Sequence, residues 1–168
     1  MIDHTIEQLM EAHKVPGLSL AILEEGHRVQ LKTYGLQRAD AEDLIDIDTT
    51  FEAASLSKPV FAYGVLKMVE RGEIDLDQPL SHYLPAYDVK DPRLTHITAR
   101  MVLSHSTGFP NWRPENQSLC IHFQPGERFS YSGEGFVYLQ RVIESLSGHS
   151  LEEYMQGNVL QPLDMRQS

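Results

Sequence analysis

Ser55 and Lys58 stand three residues apart in the stretch Phe51-Glu-Ala-Ala-Ser55-Leu-Ser-Lys58-Pro59. A hydroxyl next to an amine is the raw material of an activated nucleophile. In a helix, residues three apart are neighbours on one face. If Ser55 opens the helix, it lies at the positive end of the macrodipole, where developing negative charge is favoured. A lysine deprived of water loses its proton near neutral pH and takes one from a hydroxyl. The same residues have a plainer reading, a serine that does no more than cap a helix. Context along the chain separates the two.

The elements that would hold this pair follow from periodicity. Ile2, Ile6, Leu9, Met10 and His13 share one helical face, so residues 3 to 14 read as an amphipathic helix ended by Val15-Pro16-Gly17. Leu18, Leu20 and Ile22 alternate, as do Val29, Leu31 and Thr33, with Glu24-Glu25-Gly26 between them. That is a β-hairpin signal, and two strands need further partners or a cover. The acidic stretch from Arg38 to Thr50 reads as a solvated loop. The helix beginning at Ser55 runs to Arg71 with Gly72 as its C-cap, Pro59 tolerated in its first turn. Apolar residues cover much of its circumference, which predicts a central, buried helix. A short helical turn is expected near Leu80 to Leu84 and a short helix capped by Thr98. A polar, Pro-rich loop from Phe109 to Gly126 carries the single tryptophan. A second long helix follows Tyr131-Ser132-Gly133 and closes at Gly148, and Ser150 with Glu153 forms a capping box for a last one.

Composition narrows the function. With 41% hydrophobic and 23% charged residues over 168 positions, one globular domain is expected. A formal charge of −10 argues against nucleic acid or an anionic membrane surface as partner. No apolar run reaches the length of a membrane span. The N-terminus lacks the basic and apolar regions of a signal peptide, which fits a cytosolic start or a chain trimmed to a periplasmic or extracellular mature form. Cys120, the single cysteine, excludes an internal disulfide. The histidines show no ligand spacing, so no metal is expected.

Several segments, in order, resemble the serine β-lactamase and penicillin-recognising superfamily, in the branch of class C β-lactamases, related esterases and D-amino-acid peptidases. Phe51 to Lys58 looks like its first motif. Gly72-Glu-Ile-Asp-Leu-Asp-Gln-Pro-Leu and Tyr83-Leu-Pro85 resemble the segment after its central helix. Val102-Leu-Ser-His105-Ser-Thr-Gly108 is similar to its Leu-Leu-x-His-Thr-Ser-Gly signature. Pro125-Gly-Glu-Arg-Phe-Ser-Tyr131-Ser-Gly133 is similar to the approach to its Tyr-x-Asn motif, and Pro162-Leu-Asp-Met165 to a later Pro-Leu-Gly-Met.

The resemblance implies an α/β (α+β) fold of β-lactamase/transpeptidase type, as a partial domain over residues 1–168. Residues 1–50 would supply the N-terminal helix and hairpin, and 51–168 the helical lobe. It implies Ser55 as acylated nucleophile, Lys58 as general base and Tyr131 as partner base or acid, with the Ser55 amide as half of an oxyanion hole. His105 would be structural. The substrate would be a small-molecule or peptide-like acyl compound, with no cofactor.

Two departures qualify this. Gly133 occupies the substrate-binding position where the family usually has asparagine, which disfavours β-lactam hydrolysis and suits a looser esterase or peptidase-like activity. The third motif, Lys/His-Thr/Ser-Gly, is not found, and neither are the strands that would follow it, so the expected fold is a truncated one. The hairpin would then keep an unpaired apolar edge. Two functions stay open: a serine hydrolase, or a catalytically incomplete binding or scaffold domain. In the second case the edge would be completed by a homo-oligomer or a complementing chain.

Overall fold

A computed structural model of the chain describes residues 2–40, 42–87, 89–115, 117–165 and 167. Glu24, Arg28 and Val29 are described by backbone alone, so the face expected of Val29 lies outside the described residues. The chain divides into two units, one formed by the first 52 residues and one beginning at Ala53.

In the first unit, helix α1 (Ile2–His13) ends where Lys14 turns into the left-handed region, at φ 54°. Strands β1 (Gly17–Glu24) and β2 (His27–Gly35) pair antiparallel from Gly17 opposite Gly35 to Glu24 opposite His27. The register slips once, between Ile22 and Leu23, as a β-bulge does. Glu25 and Gly26 both take positive φ, 50° and 79°, the geometry whose twist suits a two-residue hairpin. Asp3 on α1 accepts hydrogen bonds from Lys32 at 2.6 Å and Tyr34 at 2.5 Å. Lys32, and then Tyr34, hold its carboxyl below the usual carboxylate range, and the same bond pushes the Tyr34 phenol up to about 12.

The second unit is built on two long helices, α2 (Ser57–Glu70) and α5 (Gly133–Ser147). Phe61, Val65 and Met68 of α2 and Tyr138, Leu139, Val142 and Ile143 of α5 belong to one buried cluster. Short elements complete it: α3 (Leu80–Tyr83), a 3-10 turn Pro92–His96, α4 (Ala99–Leu103) and α6 (Leu151–Met155), followed by a π turn Gln156–Leu160. Each fully buried aliphatic side chain here is worth about 1.5–3 kcal/mol.

Caps behave as the sequence predicts. Thr98 accepts from the Met101 amide, and Ser150 and Glu153 form a reciprocal capping box. Gly72 and Gly148 take positive φ just beyond α2 and α5. Arg71 bonds Asn158 and the Tyr154 hydroxyl, which donates to the Gly64 carbonyl, tying the end of the chain onto α2.

Two expectations need correction. The α-helix opens at Ser57, not Ser55, because Ala54 takes φ 43° and the Leu56 amide closes a tight turn on the Ala53 carbonyl at 2.8 Å. Ser55 therefore sits in the 3-10 turn Ala54–Leu56. Nor is α2 buried all round: Tyr63 and Leu66 lie off the Phe61, Val65, Met68 stripe and are exposed.

Candidate active site

The turn before α2 leaves the Ser55 hydroxyl free of capping duty, since neither the turn nor the helix has a side-chain cap bond at its N-terminus. Lys58, in the first turn of α2, donates to Ser55 Oγ at 3.3 Å. Tyr131, on the segment leading into α5, donates to the same oxygen at 2.8 Å. The structure thus brings all three together, from positions 76 residues apart in the case of Tyr131. The Lys58 ammonium lies 5.2 Å from the centre of the Tyr131 ring and 5.5 Å from that of Phe136, within cation–π range. Lys58, and then the Ser55 contact, hold the Tyr131 phenol below its ordinary range.

His105 positions Tyr131. Its ring stacks on the Tyr131 ring with centroids 4.3 Å apart, and its Nδ1 accepts the Ser132 amide at 3.1 Å. That bond requires a lone pair on Nδ1, so the proton of the neutral ring is on Nε2. Burial, and then Lys58, push the His105 pKa down. The unfolded histidine takes a proton below about pH 6.5, which the folded one refuses. The contribution of His105 to stability therefore falls as pH drops through that value, until the folded ring itself protonates. His105→Ala is expected to cost about 1–3 kcal/mol, because the buried Ser132 amide loses its acceptor. Urea unfolding checks this, and wild-type stability would mean that Ser132 finds another partner.

Gly133, the first residue of α5, donates its amide to both the carbonyl and the side-chain oxygen of Asn111, each at 3.1 Å. Ser132 caps the same turn, accepting from Gly135 and donating to the Pro110 carbonyl. Arg113 meets the buried carboxylate of Glu134 at 3.6 Å. The loop 110–113 is thereby held across the start of α5. An open cavity of about 190 Å³ lies beside it, with Lys58, Trp112, Gly133 and Phe136 among its walls. Asn111 escaped the sequence reading, and Trp112 entered it only as the single tryptophan of a Pro-rich loop.

Among the described residues, no group of three or more His, Cys, Asp or Glu side chains is placed to hold a metal, and no helix is long and apolar enough to cross a membrane.

Comparison with known proteins agrees with this architecture. The Beta-lactamase family profile matches residues 2–168. Penicillin-binding protein 4* of Bacillus subtilis is 27% identical over 183 residues, covering 96% of this chain and 39% of the relative. An octameric penicillin-binding protein homologue from Pyrococcus abyssi superposes with a TM-score of 0.80 at 29% identity, over 97% of this chain and 42% of that one. A class C β-lactamase in complex with cefoxitin gives 0.81 at 25%, over 99% and 49%. The chain spans about two fifths of the curated relative's length. The mixed α and β architecture described above corresponds to that part of the β-lactamase/transpeptidase-like fold, and the chain belongs to the β-lactamase family.

Proposed function

We propose that this chain carries the nucleophilic part of a serine hydrolase that forms an acyl-enzyme on Ser55, acting on an ester, amide or lactam. The observation that supports it most is the convergence of Lys58 Nζ and the Tyr131 hydroxyl on Ser55 Oγ. Tyr131 as phenolate takes the Ser55 proton while Oγ bonds to the acyl carbon. The bond to the leaving group then breaks, and Tyr131 returns the proton to the departing alkoxide or amine. Water enters by the same route, frees the acid and restores the Ser55 hydroxyl. Lys58 stabilises the phenolate, and the Ser55 amide, near the N-terminus of α2, faces the oxyanion. With no side-chain amide at Gly133, esterase or peptidase-like turnover fits better than efficient β-lactam hydrolysis.

The sheet, in which β1 and β2 pair only with each other among the described residues, supports a second reading. In that case the chain is a binding or scaffold domain whose sheet edge is completed by another chain.

Peptide mapping after incubation with a fluorophosphonate and, separately, a penicillin decides between the readings. A single adduct on the peptide containing Ser55 is expected with the fluorophosphonate. A folded chain that acquires no adduct would overturn the hydrolase reading and leave the binding domain.

A further inference from the structure

Tyr131 is 38% exposed, too open for burial alone to fix its hydroxyl on Ser55. One residue, His105, brackets it. The Ser130 amide donates to the His105 carbonyl at 2.7 Å and the Ser132 amide to His105 Nδ1 at 3.1 Å, so both neighbours of Tyr131 are tied to the same partner. The imidazole stacks on the Tyr131 ring, and Phe136 and Phe129 close on it at centroid distances of 5.1 and 5.7 Å. The backbone under this ring is an unusual one for histidine. His105 takes φ 54° just past α4, where the Ser106 amide reaches back to the Met101 carbonyl at 2.8 Å. Glycine takes that helix-ending conformation freely, and asparagine more readily than most residues. A histidine gives up backbone stability to put an imidazole there, and strain of this kind collects at functional sites.

We infer that His105 is a positioning residue for proton transfer at Ser55, holding the Tyr131 hydroxyl on Oγ only while its imidazole is neutral. The inference rests on Tyr131 being the group that takes the Ser55 proton. Nδ1 is the ring nitrogen with the lone pair, so an added proton lands on the atom that accepts Ser132. Two donors then face each other, and the bracket opens on the side that leads into α5. The ionisable groups set against the ring are Lys58 of α2 and Tyr131 itself, while Phe129 and Phe136 carry no charge. Lys58 opposes a second cation and the Tyr131 phenol is neutral in acid, so none of these neighbours stabilises the imidazolium. Acid therefore acts twice. It puts a proton on the Tyr131 oxygen, and below the His105 titration it also moves that oxygen off Ser55. His105 takes no part in the transfer itself.

The test compares His105→Gly with His105→Asn by labelling Ser55 with a fluorophosphonate over a range of concentrations. Both residues tolerate the left-handed backbone, but only asparagine offers an oxygen at the place of Nδ1. His105→Gly is expected to cut the limiting labelling rate by up to about 10²-fold, the cost of a misplacement of about 1 Å, with the half-saturating concentration unchanged. His105→Asn should recover most of that loss. The wild-type rate should fall in inverse proportion to proton concentration, and with its square below a midpoint that lies under about pH 6.5. His105→Asn, which does not titrate there, should keep the simple proportion throughout. NMR of ring-labelled histidine and tyrosine reads the bracket without any chemistry. With His105 assigned by His105→Asn and Tyr131 by Tyr131→Phe, the two rings should shift with one midpoint. Tyr131 signals that stay still while His105 titrates, or His105→Gly labelled at the wild-type rate, would overturn the positioning role alone. A shared midpoint on a chain whose Ser55 takes no label would support the bracket and overturn the hydrolase reading alone.

Discussion

Tyr131→Phe is expected to slow acylation of Ser55 by about 10²–10⁴-fold, the range spanned by a well-placed general acid or base. The substitution removes one oxygen, the atom 2.8 Å from Ser55 Oγ. It keeps the aromatic ring that stacks on His105 at 4.3 Å, so stability should stay within about 0.5 kcal/mol of wild type. Loss of rate without loss of fold separates a chemical role from a structural one. The pH dependence supplies a second mark. Lys58 favours the charged phenolate and so lowers the Tyr131 pKa. The active form accumulates as pH rises, with a half-point below the ordinary tyrosine value of about 10. Lys58→Met removes the cation, and the half-point should climb back toward that value. Intact-mass time courses with a fluorophosphonate give both rates. An unchanged rate in Tyr131→Phe would show that another group takes the proton.

Gly108→Ala is expected to cost about 2–5 kcal/mol, from left-handed backbone strain and overpacking together. Gly108 takes φ 83°, where a Cβ crowds the following carbonyl. That Cβ would also sit 2.6 Å from the Phe123 carbonyl oxygen and 2.9 Å from Cγ2 of Ile121. The neighbouring segment cannot simply withdraw, because the His122 amide donates to the Gly108 carbonyl at 2.8 Å and Phe109, Ile121 and Phe123 are all buried. A domain stable by about 5–15 kcal/mol has little margin for this. Urea unfolding measures the loss. A change under about 1 kcal/mol would mean that the two segments part without cost.

How much of this was legible in the sequence depends on the range of the interaction. Local rules carried the caps at Thr98, Ser150, Gly72 and Gly148, since each is decided within a few residues by a hydroxyl, a carboxylate or a missing Cβ. The Ser55–Lys58 contact was expected from helical spacing, but it is made from a 3-10 turn that precedes the helix. The left-handed Ala54 was not expected, because alanine has no local reason to adopt that conformation. The arrival of Tyr131 at Ser55 rested on motif resemblance alone, with no periodicity linking the two. Trp112 and Asn111 were illegible for the same reason. What places them is a backbone contact with Gly133 and an ion pair from Arg113 to Glu134, both made by packing across the unit. The exposed side of α2 at Tyr63 and Leu66 shows the converse, apolar composition without burial.

The left-handed backbone at Ala54 has a consequence for how this position would change under selection. A residue with a Cβ gives up about 1–2 kcal/mol to stay there, whereas glycine takes the same conformation without steric penalty. Ala54 also walls the cavity and leads into the turn that aims Ser55, so a freer backbone would blur the placement of the nucleophile. Selection for heat resistance alone should therefore drift position 54 toward glycine, and selection for turnover should hold alanine against that drift.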